Sequence, residues 1–205
     1  MARRSDHSRE QLYTLALSAA EAIVKAGGLR ALTARNVANA IGYSPGTLYN
    51  VFANLDDLII HLNAQTLDLL HAALSKAPAT GNPEHDIDAL LKAYLTFLVN
   101  HPGLWATLFD YTQPEGADLP DWYQRKIAGV LGLLETALSP LFSIEQMSKT
   151  AHAARVLWAG LHGLYALDSS GKLGVVGGDN FQEMAKTLTS TFISGLRHDH
   201  RNIGR

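Results

Sequence analysis

Between Thr33 and Leu58 the chain reads TARNVANAIGYSPGTLYNVFANLDDL, and that punctuation narrows the folds open to it. Thr33 is a helix N-cap, and Leu32 before it can staple to Val37, while Val37, Ala38 and Ile41 fall on one helical face. Gly42 can take the left-handed conformation that ends a helix of about two turns. Ser44 is then a fresh N-cap, Pro45 suits a first helical position that needs no N–H, and Tyr43 with Leu48 repeats the staple. Two short helices must cross closely here. Ala38 is small enough to permit the approach, and Val37, Ile41, Leu48 and Val51 supply apolar contacts that fix the angle. The geometry is that of a helix-turn-helix, although an ordinary helical hairpin uses the same caps.

The outward face of the second helix separates the two. Ser44, Gly46, Thr47, Tyr49 and Asn50 are small or hydrogen-bonding, and no acidic residue interrupts them. Such a face can press against phosphates and base edges. Arg35, second in the first motif helix, carries a forked donor suited to guanine O6 and N7, or is a solvated surface arginine.

The run Thr33, Ala38, Gly42, Ser44-Pro45-Gly46-Thr47-Leu48-Tyr49, Phe52 and Leu58 resembles the DNA-binding domain of the TetR family of transcriptional regulators. The preceding stretch fits as well, with Leu12, Leu15, Ala16, Ala19 and Ile23 at helical spacing before Gly27-Gly28. The resemblance implies an all-α chain of about nine helices. An N-terminal three-helix helix-turn-helix domain would occupy residues 1–53, and a helical bundle for ligand binding and dimerisation residues 54–205. It places base readers at Ser44, Pro45 and Gly46; by their hydroxyls Thr33, Thr47 and Tyr49 are candidate phosphate contacts, Asn50 is a candidate adenine or phosphate contact, and Tyr43 completes the DNA-facing set. It also implies a lysine just after the recognition helix, where this chain has Leu55. One charge per half-site is thereby lost, and Arg3, Arg4 and Arg9 are positioned in sequence to compensate.

Charge distribution agrees with a DNA-facing end. The whole chain of 205 residues has net charge −2, yet residues 1–55 hold six basic side chains (Arg3, Arg4, Arg9, Lys25, Arg30, Arg35) against Asp6, Glu10 and Glu21, leaving −5 on the remainder. Apolar residues make up 47% of the chain, enough for a real core. The absence of cysteine excludes a disulfide frame, a thiolate metal site and a thiol nucleophile. The charged N-terminus lacks the apolar run of a signal peptide, and no segment approaches about 18 uninterrupted apolar residues, so a cytoplasmic protein without a membrane partner is expected.

Beyond the motif the periodicity is helical throughout and no strand pattern occurs. A helix capped from Asn54 runs to about Ser75 with Leu58, Ile59, Leu62, Leu69 and Leu70 on one face, and after a Pro- and Gly-rich loop Ile87, Leu90, Leu91, Tyr94, Leu95 and Leu98 define another that stops at His101-Pro102. Further helices are expected over about 104–111 and 119–138. Ser143 and Gln146 form a capping box opening a helix to about Asp168, and Asp179 or Asn180 caps a last one to about Leu196. These final two helices are apolar over more than one face. Leu157, Leu161, Phe181, Met184, Leu188 and Phe192 could meet a second copy in a four-helix bundle, or fill an internal core. Operator reading favours a homodimer, since one recognition helix covers only a few base pairs.

Aromatic and polar residues gather mid-chain: Tyr94, Phe97, His101, Trp105, Phe109, Tyr111, Trp122 and Tyr123, with Trp158 and His162 one helical turn apart. Trp158-Ala-Gly-Leu-His162-Gly163 resembles the WHG-type C-terminal domain found in part of the TetR family, and HPGLW from His101 fits it too. Tyr94, Phe97, His101, Trp105, Phe109, Trp122, Tyr123, Trp158 and His162 are therefore the candidate pocket lining, against the plainer reading of a packed aromatic core. His198-x-His200 beside Asp199 could hold a metal or belong to a charged terminus. No phosphate loop, nucleophile elbow or paired-carboxylate site appears. The expectation is a non-enzymatic, cofactor-free repressor that binds operator DNA and is released by a small, largely apolar or aromatic effector. An effector-independent DNA-binding or interaction module is the alternative.

Overall fold

The computed structural model describes residues 7–116, 118–178 and 180–203, with side chains as far as His198. Among them are nine α-helices and no strand: α1 (Arg9–Gly27), α2 (Ala34–Ala40), α3 (Pro45–Leu48), α4 (Leu55–Leu74), α5 (Pro83–Asn100), α6 (Pro102–Asp110), α7 (Asp121–Leu138), α8 (Met147–Ser169) and α9 (Phe181–Ile203). Two compact units result, one of Met1–Leu69 with Leu98–Lys126, the other of Leu70–Phe97 with Ile127–Arg205.

In the first unit, α1 opens with a capping box in which Ser8 Oγ accepts from Gln11 N at 3.2 Å and Gln11 Oε1 accepts from Ser8 N at 2.7 Å. Its buried stripe is Leu12, Ala16, Leu17, Ala20 and Val24. That stripe is rotated from the expected one: Leu15 is exposed, and Ala19 and Ile23 only flank the core. Gly28, at φ 67°, ends the helix. Val37, Leu48, Phe52, Leu58, Ile59, Leu62 and Leu104 complete one core with the α1 stripe, so α2, α3, the first part of α4 and α6 are all fastened to α1. The N-cap of α4 is reciprocal, with Asn54 Oδ1 accepting from Asp57 N and Asp57 Oδ2 from Ala53 N, both at 2.8 Å.

Helix α6 begins at Pro102, two residues before the expected start, and Gly103 sets its approach to α1. A methyl group built at Gly103 would lie 2.9 Å from the Val24 carbonyl oxygen and 3.1 Å from Lys25 Cα. Backbone cannot yield as a flexible side chain does. Gly103→Ala is therefore expected to cost a net of about 1–2 kcal/mol in urea unfolding, steric strain outweighing the gain in helix propensity. Gly132→Ala in α7, where a methyl would meet nothing within 4 Å, is expected to change stability by less than about 1 kcal/mol, in the favourable direction. After α6, the Tyr111 hydroxyl donates to Asp56 Oδ1 at 3.2 Å, and burial together with the Asp56 charge pushes the phenol up to about 12.

In the second unit, the loop before α5 wraps around Asp86, whose carboxylate accepts from Thr80 N and Oγ1 at 2.7 Å and Gly81 N at 2.9 Å. Those donors hold its pKa below the usual carboxylate value. The Ser143–Gln146 capping box forms, but it opens a 3₁₀ turn over Ile144–Gln146, and α8 starts after it. Asn180 Oδ1 caps α9 by accepting from Glu183 N at 3.0 Å, while Asp179 lies outside the described residues. Helix α9 continues past the expected end near Leu196 to Ile203. Helices α8 and α9 pack tightly where Gly160 faces Leu188: a methyl on Gly160 would sit 2.9 Å from Leu188 Cδ2.

Candidate nucleic-acid interface and ligand cavity

The motif between α2 and α3 closes as its residues dictate. Thr33 Oγ1 accepts from Asn36 N at 3.1 Å, and the Asn36 side chain donates back to the Ala31 carbonyl at 2.8 Å. Gly42 takes φ 76°, which lets Tyr43 N reach the Ala38 carbonyl at 2.9 Å. Ser44 Oγ then accepts from Thr47 N at 3.3 Å and pairs with Thr47 Oγ1 at 3.0 Å. Regular helix in α3 covers only Pro45–Leu48, and hydrogen-bonded turns carry it on, Tyr49 N to the Pro45 carbonyl and Phe52 N to that of Leu48.

Arg35, Thr33, Pro45, Gly46, Tyr49 and Asn50 are exposed, with Tyr49 at 48%, and Tyr43, Ser44 and Thr47 are half-buried beside them. Capping does not exhaust these hydroxyls. Thr33 Oγ1 acts as an acceptor in its cap and keeps its proton, and in the Ser44–Thr47 pair one proton satisfies both oxygens while the other stays available. Leu48 and Phe52, on the opposite side, are buried at 2% and 1%. The segment is thus anchored on one face and offers hydrogen bonds without acidic charge on the other. Leu55 packs against the same core, so the residue where the resemblance implies lysine is used for packing.

Two neighbours of the motif carried no signal in the sequence. His7 Nδ1 and the Tyr43 hydroxyl share a hydrogen bond of 2.7 Å, tying the residue before the α1 cap to the start of the recognition segment. His61 of α4 stacks on Trp122 of α7 at 4.8 Å, meets Phe52 edge-on at 5.9 Å, and shares a hydrogen bond of 2.9 Å with the Tyr13 hydroxyl of α1. Burial lowers the His61 pKa, opposed by the nearby Asp57 carboxylate. Only a fold that brings α1, α4 and α7 together gives that histidine a role.

The nine pocket candidates do not share one lining. Within the second unit an apolar cavity of about 50 Å³ is walled by Leu70 and Leu74 of α4, Ile87, Leu90, Leu91 and Tyr94 of α5, Val130, Leu131, Leu133 and Leu134 of α7, and Leu157, Trp158 and Leu161 of α8. Tyr94 and Trp158 are the candidates it includes. Phe97 is buried in the same unit, and His162 stacks on Trp158 at 5.5 Å, its pKa lowered by burial, without either lining the cavity. His101, Trp105, Phe109, Trp122 and Tyr123 belong to the first unit. There Trp105 is 1% exposed and edge-on to Phe109 at 4.8 Å, and burial pushes the Tyr123 phenol up to about 12. The aliphatic walls had registered in the sequence only as helix faces, because periodicity does not distinguish a side chain beside a void from one in solid packing.

Of the six candidates for self-association, Leu157 and Leu161 point into that cavity and are buried within the single chain. Phe181, Met184, Leu188 and Phe192 are half-buried. Along α8, Val156, Ala159, Gly163 and Ala166 are exposed, and towards its start His152 and Arg155 are exposed as well. Among the described residues no group of histidines and carboxylates is arranged to hold a metal; His198 is exposed, and the Asp199 and His200 side chains lie outside the described residues. No helix among the described residues is long and apolar enough to cross a membrane.

Residues 16–62 match the tetR family of bacterial regulatory proteins, and residues 87–192 match the tetracyclin repressor-like C-terminal domain. No curated protein matches the sequence. Among solved structures, a Rhodococcus sp. RHA1 protein of unknown function is 22% identical with a TM-score of 0.70, over 95% of this chain and 99% of the other. A TetR-family transcriptional regulator from Streptomyces coelicolor is 19% identical with a TM-score of 0.62, over 90% and 99%. A further TetR regulator from Rhodococcus sp. RHA1 is 17% identical with a TM-score of 0.65, over 90% and 97%. At such identities the likeness speaks for the fold, and the two family matches, the second of which alone spans more than half the chain, supply the rest. With its helix-turn-helix anchored by Leu48 and Phe52 beneath an uncharged, hydrogen-bonding face, the chain belongs to the TetR family of bacterial DNA-binding transcriptional regulators.

Proposed function

We propose that the protein is a cytoplasmic homodimeric repressor that leaves its operator when a small, largely apolar or aromatic effector enters the cavity of the second unit. The observation that carries the DNA side is the face made of exposed Thr33, Arg35, Pro45, Gly46, Tyr49 and Asn50 with half-buried Tyr43, Ser44 and Thr47 beside them, held on a buried core and free of acidic residues. Residues 1–53 do the reading. Arg35, Ser44, Pro45 and Gly46 face base edges, while Thr33, Tyr43, Thr47, Tyr49 and Asn50 fix the register through phosphates. Residues 54–205 sense and dimerise. Val156, Ala159, Gly163 and Ala166 of α8 are small enough for close helix approach, with Phe181, Met184, Leu188 and Phe192 half-buried on or near α9 to add apolar area. A two-fold dimer sets its recognition segments about 34 Å apart, one turn of DNA, and the effector acts by favouring a different spacing.

Selection from random duplexes tests this directly. A palindromic site with half-sites about one helical turn apart, protected next to the gene itself, is the expected outcome. Enrichment of no sequence would leave a non-specific DNA-binding module instead. The small volume of the cavity favours a second reading, an effector-independent regulator, and a screen in which no compound releases the selected site would establish it.

The lost lysine at Leu55 has a measurable consequence. Arg9 is exposed at the first position of α1, and Arg3 and Arg4 lie outside the described residues. Alanine at all three is expected to flatten the dependence of log affinity on log salt, by about 0.9 for each phosphate contact removed. An unchanged slope would show that no arm compensates for Leu55.

A further inference from the structure

We infer that the effector is an uncharged molecule built on an unbranched alkyl chain, with at most one or two hydrogen-bonding groups. This rests on the reading of an effector-bound cavity given above and narrows its chemistry. Eleven of the thirteen wall residues are leucine, isoleucine or valine, and none is charged. A carboxylate, phosphate or ammonium drawn inside would be stripped of water and given no counter-charge. Tyr94 and Trp158 alone in the wall carry hydrogen-bonding side chains, which limits the polar atoms a ligand can satisfy. Trp158 already has one ring face stacked on His162, so the wall offers a flat aromatic guest few stacking partners.

Shape points the same way. About 50 Å³ holds a few methylene groups, whereas pockets for drug-sized ligands are commonly about 300 Å³ or more. The space must therefore open by rearrangement of its walls. Leucine side chains can change rotamer to admit a thin flexible chain, while a rigid ring needs a slot of its full width at once. The α7 wall suits such opening. Gly129 precedes its lining run and Gly132 interrupts it, and Gly132 has nothing within 4 Å of where a side chain would start, so packing does not demand a glycine there. Leu90, Leu131, Leu133 and Leu134 are only half-buried, which leaves the α5 and α7 walls incompletely backed. Along α5 the lining runs from Ile87 to Tyr94, about 10 Å of helix, matching an extended chain of medium length.

The test measures binding to the full chain by calorimetry, and operator release by anisotropy as a separate readout. The probes are octan-1-ol, decan-1-ol, methyl octanoate, sodium octanoate and naphthalene. Expected is binding of the alcohols and the ester, tightening about fourfold per added methylene, so about sixteenfold from octanol to decanol. Octanoate should bind at least about a hundredfold more weakly than its methyl ester. Leu134→Phe, which fills the cavity, should weaken the alcohols at least tenfold. Leu90→Phe does the same from the α5 wall if the first variant fails to fold. Equal or tighter binding of octanoate, preference for naphthalene, or no gain with chain length would overturn the proposal. Alkyl binding that leaves operator affinity unchanged would support this ligand class while removing the effector-released repressor, and release by a charged or aromatic compound would do the reverse.

Discussion

Replacing Gly46 with glutamate is expected to lower operator affinity on the order of a thousandfold while leaving the fold intact. Gly46 is exposed in the first turn of α3, and the nearest atom to a side chain built there is Ser44 Oγ at 3.8 Å, an ordinary contact. The position can therefore accept a side chain without strain. An acid in a first helical turn is also locally favourable. What changes is the surface offered to DNA, where a carboxylate would stand among hydroxyls meant for phosphate and base edges. Like charges brought together at an interface cost several kcal/mol, and even about 2 kcal/mol in each half-site of a dimer sums to about a thousandfold.

Gly46→Gln separates charge from bulk. If the backbone at Gly46 approaches DNA closely, glutamine also weakens binding, but by much less than glutamate at low salt, where repulsion is least screened. Anisotropy on the selected operator gives the affinities, and melting should stay within about 2 °C of the parent for both variants. Glutamate with undiminished binding would place this face away from the phosphates.

The motif was legible in the sequence because its structure is local. Thr33, Gly42, Ser44 and Pro45 each act within a few residues, and all four do in the structure what their chemistry prescribes. Periodicity placed the helices but not always their faces: Leu15 and Ala16 fit a helical stripe equally well, and only packing of α2 and α6 on α1 decides that Leu15 is outside. Gly103 stood in the break expected between two helices, yet its lack of a side chain serves a contact with α1 some eighty residues earlier. His61 and Trp122 are likewise an unremarkable histidine and tryptophan until α4 and α7 meet. The cavity was least legible. Leu131, Leu133 and Leu134 fall inside a helix expected over about 119–138 without marking a void, and the aromatic residues that drew attention instead, Trp105, Phe109, Trp122 and Tyr123, belong to the first unit and do not line it.

Phe52→Ala is expected to remove about 3–5 kcal/mol of stability, the range for truncating a large buried aromatic side chain. Phe52 is 1% exposed, stacked on Tyr13 of α1 at 5.2 Å and edge-on to His61 of α4 at 5.9 Å. Its position at the end of the recognition segment makes it a fastener as well as core. The backbone from Pro45 to Phe52 has little regular helix of its own, so burial of Leu48 and Phe52 must fix where Thr47, Tyr49 and Asn50 point. Since a domain is stable by only about 5–15 kcal/mol, urea unfolding should show a large shift of midpoint toward lower denaturant, with an unchanged slope if the native state stays compact. Operator affinity should fall further than the loss of folded molecules explains, when measured where the variant is still mostly folded. Phe52→Leu keeps most of the burial and gives up the ring contacts, worth about 1 kcal/mol, and it should recover most of both losses. Full operator affinity per folded molecule in Phe52→Ala would mean that Leu48 alone holds the recognition segment, and that the aromatic cluster around Tyr13 and His61 serves stability without setting the DNA-facing geometry.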